Sequence, residues 1–212
     1  MKVEIWSDLA CPYCFIGKRR LELALEKVDF AGDVEIIWRS FELAPEAPQQ
    51  SPLSKIEHLA EKYDQPKKWA ELLCLSLAEQ GKEININFDF EQLKVTNTLD
   101  AHRLLQLAKT LNKSDVLKEQ LLLAGFESGK LLADKHVLSE CGVAAGIEKE
   151  RCEQVLSSNE FLSEVREDEQ MAQEIGISSV PFFIIDEAYG MEGAQPVEHI
   201  QKMLTDIHNG AI

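Results

Sequence analysis

Ser7-Asp8-Leu9-Ala10-Cys11-Pro12-Tyr13-Cys14-Phe15 is the stretch on which the reading of this chain turns. A strand-like run, Val3 to Trp6, leads into it, and a helical pattern starts at the cysteine pair. From there Cys14, Leu21, Ala24, Leu25 and Val28 fall on one face. Cys11 is thereby expected in the first turn of a helix, where unsatisfied N–H groups and the macrodipole amount to roughly half a positive charge. A thiol at such an end loses its proton more easily, and thiolate is the nucleophile. Pro12 suits the first turn, since its missing N–H would have had no partner there. The spacing lets Cys14 reach Cys11, so that one thiol can attack a disulfide and the other can resolve the mixed disulfide.

A Cys-x-x-Cys pair alone can be a redox pair, half of a zinc site, or coincidence. Zinc needs about four ligands. The chain has no second such pair, and His58, His102, His136, His199 and His208 are scattered, so the redox reading is favoured and no metal is expected. The 212 residues are 45% hydrophobic and 28% charged, which suits one sizeable core, with or without an inserted lobe. A net charge of -15 argues against nucleic acid or an anionic membrane as partner, because both are polyanions. Met1-Lys2-Val3-Glu4-Ile5 alternates like a strand and carries no apolar run of signal-peptide length. No stretch approaches the ~20 apolar residues that span a bilayer. A cytoplasmic location is therefore expected. Cys74, Cys141 and Cys152 do not pair by spacing, so the Cys11–Cys14 dithiol would be catalytic in a reducing compartment rather than part of a disulfide scaffold.

Asp33 to Leu43 reads as a second strand whose dense apolar run suits a sheet covered on both faces. Strand, helix and strand in this order predict a right-handed βαβ unit. Pro45, Pro48 and Pro52 with Gln49, Gln50 and Ser51 mark a link. The next hundred residues are mostly helical patterns: one from Ser51-Pro52, one from Pro66 to Gly81, then others through Leu111, Gly129, Ala145, Ser157 and Ile175. Between them, Ile84, Ile86, Phe88 and Phe90 alternate with polar residues as a short strand or extended loop. After Gly176, Val180 to Asp186 reads as a buried strand, Tyr189 to Glu192 as its hairpin partner across Glu187-Ala188, and Pro196 opens a last helix. The order is β-α-β, a helical block, then α-β-β-α.

With Cys11-Pro12-Tyr13-Cys14 after the first strand, Val180-Pro181 opening the third and a β-β-α end, the chain resembles the thioredoxin superfamily, in its DsbA branch with a helical insertion. Asn97-Thr98-Leu99-Asp100-Ala101-His102-Arg103-Leu104 and Gly193-Ala194-Gln195-Pro196 resemble motifs of cytoplasmic FrnE-type members. The resemblance implies an α/β thioredoxin fold with a large all-helical insertion domain: residues 1–44 and 177–212 form the thioredoxin-like part and 45–176 the insertion. It also implies a cis Val180–Pro181 peptide against the cysteine pair, with the Val180 backbone free to pair with an extended substrate, a form of β-augmentation. By the same resemblance Cys11 attacks, Cys14 resolves, Pro12 and Tyr13 tune the potential, and the helix of His102 faces the site. The Pro-Tyr dipeptide is also that of glutaredoxins, whose potentials run from roughly -200 to -230 mV.

The activity expected is that of a thiol–disulfide oxidoreductase or isomerase acting on protein disulfides or glutathione mixed disulfides. It would have no bound cofactor, with glutathione an allowed co-substrate, as a monomer or homodimer. Two other classes compete. Kappa-type glutathione transferases and hydroxychromene carboxylate isomerases share the architecture, but characteristically have Ser where this chain has Cys11 and lack the thiol of Cys14. A non-catalytic binding module, peptide-binding or a zinc dimer bridged by two cysteine pairs, is the third. Cys74 and Cys141 read as buried, Cys152 as exposed beside Arg151, and Arg166-Glu167-Asp168-Glu169 as a solvated helix face.

Overall fold

The first strand, β1 (Lys2–Ser7), is buried over five of its six residues, because a sheet strand pairs on each side of it and helices cover both faces. A computed structural model describes residues 1–211 of the chain. After β1 come α1 (Pro12–Leu25), β2 (Glu35–Ser40), α2 (Lys55–Lys62), α3 (Lys67–Lys82), α4 (Leu99–Thr110) and α5 (Ser114–Phe126). The chain continues through α6 (Lys135–Ala144), α7 (Lys149–Leu156), α8 (Leu162–Ile175), β3 (Phe182–Ile185), β4 (Tyr189–Glu192) and α9 (Val197–His208).

The sheet has the order β2-β1-β3-β4. β1 runs parallel to β2, with Ile5 opposite Trp38, and antiparallel to β3, with Ile5 opposite Phe183. The β3–β4 turn is built on Asp186 and Glu187, both at positive φ, with Ala188 N–H donating to Ile185 at 3.2 Å. That is the pair of left-handed residues a tight hairpin demands. β2 is an edge strand with Glu35 exposed and Ile36 and Ile37 half-buried, so the expected two-sided cover is incomplete there.

Val3, Ile5, Phe183 and Ile185 project to one face and meet Leu21 and Ala24 of α1 and Ile200 and Leu204 of α9. On the other face Trp6 packs with Ala172 of α8 and Ile177. The indole of Trp6 donates to the Asp168 carbonyl at 2.9 Å. A third cluster joins the helical layer, and it includes Leu9, Phe15 and Ile16 from the cysteine stretch itself. Phe15 is fully buried, edge-on to Phe88 with centroids 5.9 Å apart. Burial of such a ring is worth roughly 2–3 kcal/mol.

Helix α2 starts one turn later than its first proline, because Ser54 forms a capping box with Glu57. The segment Ile84 to Phe90 is an apolar loop, not a strand. Two side-chain expectations are corrected. Cys152 is fully buried, since α7 turns that side of a charged helix onto Gly142 of α6. Asp168 is not on a solvated face: it is 3% exposed and accepts from Arg39 Nη1 at 2.8 Å, Ser40 N–H at 2.9 Å and Gln106 Nε2 at 2.6 Å. Among the described residues no helix is long and apolar enough to cross a membrane.

Candidate active site

Cys11 is the N-cap of α1, with extended backbone, Pro12 following it at the first helical positions and no acidic residue in the first turn. Its side chain makes no capping hydrogen bond, but it stands at the positive end of the helix, with no carboxylate on that turn to cancel the charge. The Cys14 N–H donates to the Cys11 carbonyl at 3.0 Å, which closes the first turn. All five cysteines are buried thiols.

The two active-region thiols are driven apart electrostatically. A hydrogen bond from the Cys14 thiol holds Cys11 below the ordinary thiol value against the opposing cost of burial and the charge of Asp8, helped by the Cys14 main-chain N–H and the charge of Lys55. Burial pushes Cys14 well above the ordinary value, and the proton it shares with Cys11 keeps it there. One sulfur is thus prepared as an anion, the other as its proton-bearing partner.

Three further groups, none singled out by the sequence, complete the surroundings. Lys55 of α2, 8% exposed, donates from Nζ to the Ala10 carbonyl at 3.3 Å. Lys118 of α5 is buried with Nζ 5.1 Å from the Trp38 ring centroid. Burial lowers its pKa to about 8, while the charges of Cys14 and Asp8 oppose that fall. Asp8, 1% exposed, accepts from Leu43 N–H at 2.8 Å and Ala10 N–H at 3.2 Å. A carboxylate three residues ahead of Cys11 was legible in the quoted stretch, but its partners come from distant segments.

His102 belongs to this carboxylate rather than to the sulfurs. It is 1% exposed, and its Nε2 lies 3.4 Å from Asp8 Oδ1. Burial pushes Asp8 upward, but the hydrogen bond and charge of His102 with the two main-chain N–H groups outweigh it and leave the carboxyl at about 2. The Asn97–His102 motif is a tie. Thr98 Oγ1 donates to Asp8 at 2.9 Å, Asn97 N–H to Pro48 at 3.0 Å and Thr96 Oγ1 to Gln49 at 2.6 Å.

From the opposite side comes the chain ahead of β3. The Val180–Pro181 peptide is cis, and the Cys11 thiol donates to the Val180 carbonyl with Sγ 3.6 Å from the oxygen. Pro181 is buried against α1 at Gly17, where an added Cβ would lie 2.8 Å from the proline ring. Gly193 N–H donates to the Pro181 carbonyl at 2.8 Å, and Arg20 Nη1 to the Ala194 carbonyl at 2.6 Å, so the Gly193-Ala194 motif braces this segment from behind. Among the described residues no hydrogen bond takes up the Val180 N–H. Tyr13, 39% exposed, stands at the mouth. Cys11, Cys14, Pro12, Tyr13, Val180 and Pro181 are thus together, with His102 one layer behind. Among the described residues no group of three or more His, Cys, Asp or Glu is placed to hold a metal ion.

Residues 2–205 match the family described as DSBA-like thioredoxin domain. A crystal structure of a probable DsbA oxidoreductase, SCO1869 from Streptomyces coelicolor, is 35% identical, with 97% of this chain and 89% of that chain covered and a TM-score of 0.92. The uncharacterized protein YwbO of Bacillus subtilis (strain 168) is 24% identical over 207 residues, 96% of each chain. A 2-hydroxychromene-2-carboxylate isomerase structure is similar in fold, at 14% identity, 100% and 98% coverage and a TM-score of 0.71.

Proposed function

The chain belongs to the DSBA-like thioredoxin domain family, and from that membership we propose that it is a thiol–disulfide oxidoreductase that works through Cys11 and Cys14 on protein or glutathione mixed disulfides. The observation that carries this reading is Cys11 at the N-cap position of α1, its sulfur 3.6 Å from the Val180 carbonyl oxygen and Cys14 one turn on. The Cys11 thiolate attacks a substrate disulfide, forms a mixed disulfide and expels one substrate thiolate. Cys14 then loses its proton, attacks the Cys11 sulfur and expels the second thiolate. Two electrons pass from the dithiol to the substrate, and the reverse sequence oxidises it.

An extended substrate would pair with the free Val180 N–H, a contact to main chain that tolerates many side-chain sequences. Pro12 and Tyr13 would set the potential, and His102 would hold Asp8 behind the loop. The reaction as written consumes no metal or bound cofactor. Buried, unpaired Cys74, Cys141 and Cys152 support a reducing, cytoplasmic setting for a chain organised as a 1–44 and 177–212 unit with a 45–176 insertion.

The test is reduction of insulin disulfides by wild type and by Cys11→Ser. Loss of turnover in the variant is expected, and full turnover would reject the assignment. Likeness in fold to a hydroxychromene carboxylate isomerase favours a transferase or isomerase as second reading. Turnover of that kind surviving loss of both thiols would establish it instead.

A further inference from the structure

The pocket beside Cys11 carries a charge opposite to that of the molecule around it. The chain has 37 acidic against 22 basic side chains, so an unselected patch of its surface would be mostly acidic. The pocket that runs from Cys11 into the helical layer is lined by Lys55, His58, Lys62, Lys94 and Lys130, and by no Asp or Glu among the described residues. Seven leucines make up much of the remaining wall.

Burial, with the charges of Lys55 and Lys62, lowers the His58 pKa, so the positive charge comes from the four lysines, and these do not chiefly serve internal ion pairs. Among the described residues only Lys130 of these has such a partner, Glu140 at 3.1 Å. Lys62 sits over the Tyr63 ring, Lys55 donates to a carbonyl, and Lys94 has no carboxylate in ion-pair range among the described residues. Lys62 and Lys94 are exposed at the rim, while Lys55 is buried near the sulfur. A low-dielectric wall next to fixed positive charge concentrates field lines and favours an anion with an apolar body.

We propose that this pocket selects small disulfides whose substituent joins a carboxylate to an apolar frame, seating the frame against the leucines and the carboxylate among Lys62, Lys94 and His58 while the disulfide meets Cys11. The proposal rests on the thiol–disulfide reading above and names a substrate class for it. The Cys11 thiolate forms Cys11–S–S–R and releases R–S⁻. Cys14 gives up its proton and displaces the second R–S⁻ from the Cys11 sulfur, so the dithiol supplies both electrons.

The experiment follows single-turnover oxidation of the reduced protein by four disulfides: bis(4-carboxyphenyl) disulfide, its neutral carboxamide, its cationic aminoethyl amide, and glutathione disulfide. Each rate is divided by that of dithiothreitol with the same disulfide, which removes intrinsic leaving-group reactivity. The carboxylate is expected to lead the cation by about tenfold at low salt, with the gap closing as ionic strength rises. Glutathione disulfide, anionic but without an apolar frame, is expected to trail the carboxyphenyl compound. In Lys62→Glu/Lys94→Glu the anion-to-cation ratio should fall about tenfold or more. Equal normalised rates at every salt concentration, or a ratio unchanged in the double variant, would overturn the pocket assignment and leave the dithiol chemistry standing. Failure of the reduced wild type to react with any of the four would sink the thiol–disulfide reading itself.

Discussion

The Thr98 hydroxyl donates to Asp8 Oδ1 at 2.9 Å, which fastens the residue ahead of α4 to the loop that delivers Cys11. Asp8 is buried, and its carboxyl is held down to about 2 from 3.8. A depressed carboxyl contributes stability that is fully present above its unfolded value and is lost as pH falls through the folded one. Wild type is therefore expected to lose roughly 2 kcal/mol from this group alone between about pH 5 and pH 2. Urea midpoints measured down this range should fall more steeply for wild type than for Asp8→Asn; parallel curves would refute the linkage.

Cys11 should be the thiol that reacts first. Haloacetamide alkylation followed by mass spectrometry should label Cys11 with a midpoint below the ordinary 9.0 and leave Cys14 unlabelled until much higher pH. Removing the Cys14 donor, as in Cys14→Ala, should move the Cys11 midpoint upward, while Cys14→Ser keeps a hydroxyl donor and should move it less. Labelling of both thiols with one midpoint would contradict the arrangement.

In the proposed cycle Lys118 bears on the second half. Its positive charge opposes the rise in the Cys14 pKa, so Lys118→Met should leave Cys14 harder to ionise. Resolution of a preformed Cys11 mixed disulfide should slow by about threefold per unit of added shift, the roughly tenfold loss of thiolate being partly offset by its greater nucleophilicity, with its pH profile displaced upward. Mixed-disulfide formation at Cys11 is the control step. A change confined to overall stability, with the resolution profile unmoved, would reduce Lys118 to a packing role.

Gly17 is placed where helix propensity and packing give opposite signs. Alanine in a helix interior normally gains about 1 kcal/mol over glycine. Here its Cβ would meet the Pro181 ring at 2.8 Å and the Phe183 ring at 3.4 Å. Gly17→Ala is therefore expected to destabilise by about 1–3 kcal/mol, the usual cost of overpacking, and to lower turnover by pushing the Val180–Pro181 segment away from Cys11. A stabilised, fully active variant would show that the segment yields freely.

Much of this was readable in the sequence because it is local. The β-α-β start, the helical block and the hairpin before α9 follow from changes of apolar period, and the position of Cys11 at a helix start follows from Pro12 and the strand before it. What escaped depends on contacts across long separations. Asp168 lies in a run of four charged residues that no local pattern distinguishes from a solvated face. Its partners Ser40 and Gln106 stand 128 and 62 residues away. Lys55 and Lys118 belong to helices α2 and α5, far from Cys11 in sequence, and burial beside the thiols gives them their significance. Cys152 is hidden by its packing against Gly142, which a charged flanking sequence cannot disclose.

Phe15 follows Cys14 directly, yet its neighbours are Phe88 and Phe126 from the helical segment. Chain from residues 45–176 therefore supplies an aromatic bearing for the Cys11–Cys14 turn, in addition to the support that Pro181 and Phe183 give α1 at Gly17. Cutting those residues out would not yield a minimal enzyme: it would strip an aromatic ring bare at the hinge of the dithiol turn, and the shortened protein should associate through that surface.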